Sequence, residues 1–112
     1  MSEYLFLYRS SSSNARSGSP EEIQARMQKW RAWFQSLEAS GHLKNMGQPL
    51  EEQGAVVKGA KAVTDGPYAE KDLVGGFSVV EARDLAHASE LAKGCPILAA
   101  GGVVEVRPVM KM

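Results

Sequence analysis

The stretch Thr64-Asp65-Gly66-Pro67-Tyr68-Ala69-Glu70, followed at once by Val74-Gly75-Gly76-Phe77, sets an acid, a tight turn and an aromatic ring between two apolar runs. A carboxylate held at a strand end can act as a general base, or can hold a substrate amine or hydroxyl. The same Asp65 side chain can instead cap its own turn as an Asx motif, which satisfies local backbone donors and does no chemistry. Gly66 tolerates positive φ, while Pro67 fixes its own φ near about −65° and pushes Gly66 out of the right-handed helical region. Either way the acid sits on a rigid loop.

The aromatic counterpart lies upstream, where Trp30, Trp33 and Phe34 fall on one helical segment. Their spacing is that of a core-facing stripe. A second reading has Trp30 closing a pocket between helix and sheet, with Arg9, Asp65 and Tyr68 at its mouth and Pro67 fixing the loop that carries Asp65 and Tyr68. Mostly apolar walls with few polar groups suit a small organic ligand.

His42 and His87 are the chain's two histidines. His42 follows a helix stop near a strand edge, and His87 sits in the first turn of a second helix beside Asp84. Neither has metal-ligand spacing with a third donor, so no metal site is expected, and nothing in the pattern asks for a cofactor. Cys95 follows a helix end, where the macrodipole is negative and raises a thiol's pKa, so a reactive thiolate is not expected there. Glu105 and Arg107 share one strand face and can pair with a neighbouring strand or subunit.

The elements that position these residues are legible in outline. Tyr4-Leu5-Phe6-Leu7-Tyr8 is apolar on both alternating faces and reads as a central strand. The segment from Arg9 to Gly18, serine-rich from Ser10 to Ser13 and without periodicity, reads as a loop at the end of that strand. Ser19-Pro20-Glu21-Glu22 is a capping box with proline at the first helical position. The helix it starts carries Ile23, Met27, Trp30, Phe34 and Leu37 as a stripe, with Trp33 beside it, and ends at Gly41 as a left-handed C-cap. Residues 42–50 read as a strand or extended arm interrupted by Gly47 and Pro49. Ala55-Val56-Val57-Lys58 and Ala62-Val63-Thr64 flank a turn and predict a hairpin. Residues 76–82 form a strand. Asp84 N-caps a helix with Leu85, Ala88, Leu91 and Ala92 on one face, closed by Gly94 and Pro96. A last strand covers about residues 103–109.

The order β-α-β-β-β-α-β predicts an α+β fold, with two helices on one face of an antiparallel, ferredoxin-like sheet. The other sheet face is then bare, exposing alternating residues such as Tyr4/Phe6/Tyr8 or Phe77/Val79, and such a patch is normally covered by a partner. A homodimer with sheets packed face to face is expected. At 112 residues, with 13 basic and 13 acidic side chains, the chain fits a single domain spanning 1–112 and carries no net field to draw it to nucleic acid. No basic leader or membrane-length apolar run is visible. The lone Cys95 forms no intrachain disulfide, which suits a reducing cytoplasm.

Asp65-Gly66-Pro67-Tyr68-Ala69-Glu70 resembles the DGPF signature, Asp-Gly-Pro-Phe-Ala-Glu, of the YCII-related proteins, with Tyr68 in place of phenylalanine. Gly75-Gly76-Phe77 through Glu81-Ala82-Arg83-Asp84, and Cys95-Pro96 with Gly102-Val103-Val104-Glu105-Val106-Arg107-Pro108, are similar to the same family, so the resemblance covers nearly the whole chain. It implies a dimeric α+β barrel type of assembly. It also implies that Asp65 works with a histidine on the first helix; aligning the helix stop at Gly41 places Trp30 at that histidine's position, and an indole exchanges no proton near neutral pH. By the resemblance the function is small-ligand binding near Asp65, with two alternatives. One is a dehydrochlorinase-like or lyase-like enzyme using Asp65, and the other a regulator associated with an extracytoplasmic-function sigma factor.

Overall fold

The computed structural model describes residues 1–11, 18–60, 62–66 and 71–112, with 62–65 described by their backbone. The elements run β1 (Ser2–Ser10), α1 (Pro20–Ala39), β2 (Leu43–Asn45), β3 (Ala55–Lys58), β4 (Ala62–Asp65), β5 (Leu73–Ala82), α2 (Leu85–Ala92), a 3₁₀ turn (Pro96–Leu98) and β6 (Val103–Pro108). β2-β5-β1-β6 form an antiparallel four-stranded sheet, and β3 and β4 form a separate two-stranded hairpin. This is the ferredoxin-like α+β arrangement, with the hairpin inserted between β2 and β5.

Local chemistry sets the element ends. Ser19 Oγ accepts from the Glu22 N–H, and the Glu22 carboxylate accepts from the Ser19 N–H, each at 3.2 Å. Those two bonds satisfy donors that the first helical turn leaves without partners. At the other end Gly41 takes φ 80°, and the His42 N–H reaches back to the Leu37 carbonyl at 2.9 Å. Asp84 caps α2 by accepting from the His87 N–H at 2.8 Å.

The faces of β1 are the reverse of one expectation. Tyr4, Phe6 and Tyr8 are buried beneath the helices, with Trp33, Leu37, Val80, Ala82, Ala88 and Ala92. Leu5 and Leu7 pair with Val79 and Phe77 and share the opposite, open face with them. The aromatic rings face inward because they meet α1's large side chains: Phe6 stacks on Trp33 with centroids 6.2 Å apart. Of the two sets predicted to face outward, Tyr4/Phe6/Tyr8 faces the core and Phe77/Val79 the open side.

Two further expectations, one on each helix, are corrected. The α1 core face centres on Trp33 and Leu37, with Met27 half exposed at 51%. The early turns of the helix thus extend past the core. The 42–50 segment is the strand or extended arm expected from its sequence: β2 holds three residues, and the arm then follows β5, with the Phe77 N–H donating to the Gln48 carbonyl at 3.4 Å, the Leu50 N–H donating to the Gly75 carbonyl at 2.8 Å and a Pro49–Gly76 bridge. Gly47 allows this close approach. Its φ is 74°, and a Cβ there would lie 1.7 Å from the Phe77 carbonyl oxygen. On α2, Leu85 is exposed while Ala88 and Ala92 are buried.

Candidate functional site

Of the residues expected at the site, Trp30 and Arg9 lie at the C-terminal end of β1. Tyr8, the last inward-facing residue of that strand, is buried against Trp30, whose ring meets it edge-on at 4.9 Å. Trp33 and Phe34 complete the aromatic group, 5.9 Å and 5.8 Å from Trp30. Trp30 is half-buried, so the indole is both part of the core wall and open at one edge. Beneath these rings the Tyr8 hydroxyl donates to Ser78 Oγ at 2.8 Å, and Ser78 Oγ donates to the Met46 carbonyl at 2.7 Å. Burial pushes the Tyr8 phenol far above its usual range, against the partial offset of the Ser78 bond, so it stays protonated throughout the physiological range.

Arg9, the next residue, points to the other side of the sheet. Its Nε donates to Glu105 Oε1 at 2.7 Å, and one terminal nitrogen donates to the Asp72 carbonyl at 2.8 Å. Arg107 reaches the second Glu105 oxygen at 3.3 Å. The hydrogen bond from Arg9, aided by Arg107, holds the Glu105 carboxyl below the usual carboxylate range. Arg9 and Trp30 therefore flank the same strand end from opposite faces and do not line one common wall.

Asp65 closes β4, paired with Ala55. Immediately after it the Gly66 N–H donates to the Gly54 carbonyl at 2.7 Å, with Gly66 at φ 84°. The conformation anticipated from the Asp-Gly-Pro order is thus present at the glycine. Pro67 and Tyr68 lie outside the described residues, as do Glu70, Ser12 and Ser13. The chain is described again from Lys71, and Asp72, at φ 53°, is the residue whose carbonyl Arg9 holds.

Two concavities among the described residues lie elsewhere. One, of about 540 Å³, runs between α1 and the 3₁₀ turn over Trp33, Cys95 and Pro96, with Lys29 and Lys93 at its rim. The other, of about 200 Å³, lies between α2 and β6. Cys95 is buried, and desolvation pushes its thiol up to about 12, which leaves it protonated and inert. No group of three or more His, Cys, Asp or Glu side chains suited to a metal occurs among the described residues.

One arrangement escaped the sequence. His42 and His87 are brought ring to ring, with centroids 4.8 Å apart and planes at 85°. The signal lay in the neighbours: Gly41 delivers His42 to the start of β2, and Asp84 delivers His87 to the start of α2, beside the end of β5.

Comparison with family models matches the YCII-related domain over residues 3–112. Among curated proteins none matches this chain. Among solved structures, the chain is similar to 5-chloro-2-hydroxyhydroquinone dehydrochlorinase from Burkholderia phenoliruptrix AC1100, in complex with 2,5-dihydroxybenzoquinone. The two share 22% identity over 92% of this chain and 90% of the other, with a TM-score of 0.45. No helix among the described residues is long and apolar enough to cross a membrane.

Proposed function

The chain belongs to the YCII-related family, and from that premise we propose that it is a DGPF-type member that binds a small organic ligand beside the Asp65 loop, at the end of β1. One observation carries the reading. The segment bearing Asp65 leaves the hairpin at Gly66, bonded to Gly54, and rejoins the sheet at Asp72, bonded to Arg9. Both ends of the signature loop are thereby tied down, and the second is tied to the residue next to Tyr8. Anchoring at Gly66 and Asp72 shortens the span that a ligand would have to order.

In this reading Asp65 supplies the polar contact, Pro67 and Tyr68 shape the loop, Trp30 offers an apolar edge, and Arg9 fixes the loop's return. The half-exposed aromatic edge of Trp30, with a carboxylate as the polar contact, favours a planar, apolar ligand bearing a hydroxyl or amine group. Proton transfer by an imidazole at position 30 is not available to this chain, so binding rather than turnover is the core of the proposal.

The working unit in this reading is a homodimer in a reducing cytoplasm, formed through the open sheet face. Leu5, Leu7, Phe77 and Val79 form an apolar centre there. Glu3, Lys44 and Glu81 form one charged cluster at its margin, and Arg9, Glu105 and Arg107 another. Each cluster carries both signs, which suits the self-complementary contact of a two-fold axis. The test of the ligand reading is a thermal-shift screen of the intact protein and Asp65→Asn against phenols, small carboxylates and haloaromatics. Stabilisation of the wild type that is lost in the variant is the expected result. Turnover of a stabilising compound would extend the reading to an enzyme. Stabilisation by no member of the panel, together with a saturable complex with an extracytoplasmic-function sigma factor, would replace it with the regulator.

A further inference from the structure

The two histidines are held in fixed and different tautomers. His42 Nδ1 lies 2.8 Å from the Glu81 carbonyl oxygen, which only accepts, so this nitrogen carries a proton and donates it. His87 Nδ1 lies 3.1 Å from the Arg83 backbone N–H, which only donates, so this nitrogen presents its lone pair and accepts. In the neutral state, then, His42 has its free lone pair on Nε2, whereas His87 has its proton there. A pincer for a metal ion is excluded by that assignment, because Nε2 of His87 has no lone pair to give.

Protonation acts differently on the two rings. His42 takes a proton on Nε2 and keeps its bond to Glu81. His87 takes its proton on Nδ1, where the new N–H meets the Arg83 N–H donor to donor. The Arg83 contact must then break and the His87 ring must turn away. We propose that the His42–His87 pair is an acid-released latch, which joins the end of α1 to the start of α2 at neutral pH and opens when His87 is protonated. The elements it joins are otherwise held locally by the Glu81 N–H to the His42 carbonyl, at 2.7 Å, and by the Asp84 cap on the His87 N–H.

The charged groups around the pair set the sense of the switch. The Arg83 side chain, on the β5–α2 connection, and His42, on the α1–β2 connection, both oppose a cation at His87, while the Asp84 carboxylate favours one. Glu81 meets the pair through its backbone carbonyl; its carboxylate is engaged by Lys44 Nζ at 3.8 Å. Desolvation of the ring is the largest influence, ahead of Arg83 and then His42, and together they hold the His87 pKa below its ordinary 6.5. The latch is therefore closed at neutral pH and opens in mild acid.

The test is a nuclear magnetic resonance titration of the intact protein that follows both imidazoles and the Arg83 amide. The expected result is a His87 midpoint below that of an unperturbed histidine, an Arg83 amide shift with the same midpoint, and roughly tenfold loss of that amide's exchange protection across the transition. His42→Gln should raise the His87 midpoint toward the ordinary range and carry the Arg83 transition with it. An Arg83 amide indifferent to His87 protonation, or a His87 midpoint unmoved in His42→Gln, overturns the proposal. His87→Gln gives an independent check: its Arg83 amide should be insensitive to pH between about 5 and 7, and a retained transition also overturns it.

Discussion

The Tyr8 hydroxyl donates to Ser78 Oγ at 2.8 Å in the middle of the core, and Ser78 passes the chain on to the Met46 carbonyl at 2.7 Å. Tyr8 stands on β1 and Ser78 on β5, so a polar side-chain link crosses the two central strands beneath Trp30 and Trp33. Ser78 is fully buried, and it also ties the extended arm after β2 to the sheet.

Removal of the two ends of this link has unequal effects. Tyr8→Phe deletes one hydrogen bond and leaves Ser78 bonded to Met46, a loss of about 1 kcal/mol. Ser78→Ala leaves the buried phenol and the Met46 carbonyl without a partner, at a loss of about 1–3 kcal/mol. Chemical denaturation of both variants and the double variant checks this, with a double loss smaller than the sum of the singles.

Gly47 and Gly41 separate steric from conformational cost. Both have positive φ, 74° and 80°, but a Cβ at Gly47 meets the Phe77 carbonyl oxygen, whereas at Gly41 nothing lies within 4 Å. Gly41→Ala should lose about 1 kcal/mol from the left-handed conformation alone. Gly47→Ala should lose about 3 kcal/mol or more, because backbone must move. Melting curves measured side by side should separate the two.

Stability should fall as the solution is acidified below neutrality. The folded-state pKa of His87 is lowered, chiefly by desolvation and then by Arg83 and His42, so the unfolded chain binds the proton better. Its contribution is complete above about 6.5 and is lost as pH falls through the lowered folded value. Urea midpoints measured from about pH 7.5 downward should show the decline, and His87→Gln should flatten its upper part.

The open sheet face provides a test of assembly. Leu7→Asp places a charge at the centre of the apolar patch, opposite the half-buried Phe77, while the core beneath β1 is untouched because Leu7 faces away from it. Sedimentation should give a dimer for the wild type and a monomer with a near-native circular dichroism spectrum for the variant. A wild type that sediments as a monomer at all concentrations would contradict the proposed homodimer.

Most element boundaries were written in local chemistry. Ser19 with Glu22, Gly41 and Asp84 each act within a few residues of themselves, so their caps could be read directly. The facing of β1 could not be read in that way. Both of its alternating sets are apolar, and the choice between them was made by the volume of Trp33 and Leu37 on a distant helix. The same distance hid the histidine pair, whose two halves meet only once β2 is laid against β5. Within the expected site, the sequence named Trp30 and Arg9 as residues of one mouth. The alternation of β1 sets them on opposite sides of the strand end, where Arg9 is engaged by Glu105 and Asp72.

The most direct test of the proposed function is the melting temperature of wild type and Asp65→Asn in the presence of phenols, small carboxylates and haloaromatics. A ligand at about one hundred times its dissociation constant adds about 2.7 kcal/mol to the folded state, a readily measured shift. The account predicts that at least one planar hydroxy compound raises the wild-type Tm and leaves that of Asp65→Asn unchanged. A panel that moves neither protein, or a compound that stabilises both equally, would contradict a ligand site at Asp65.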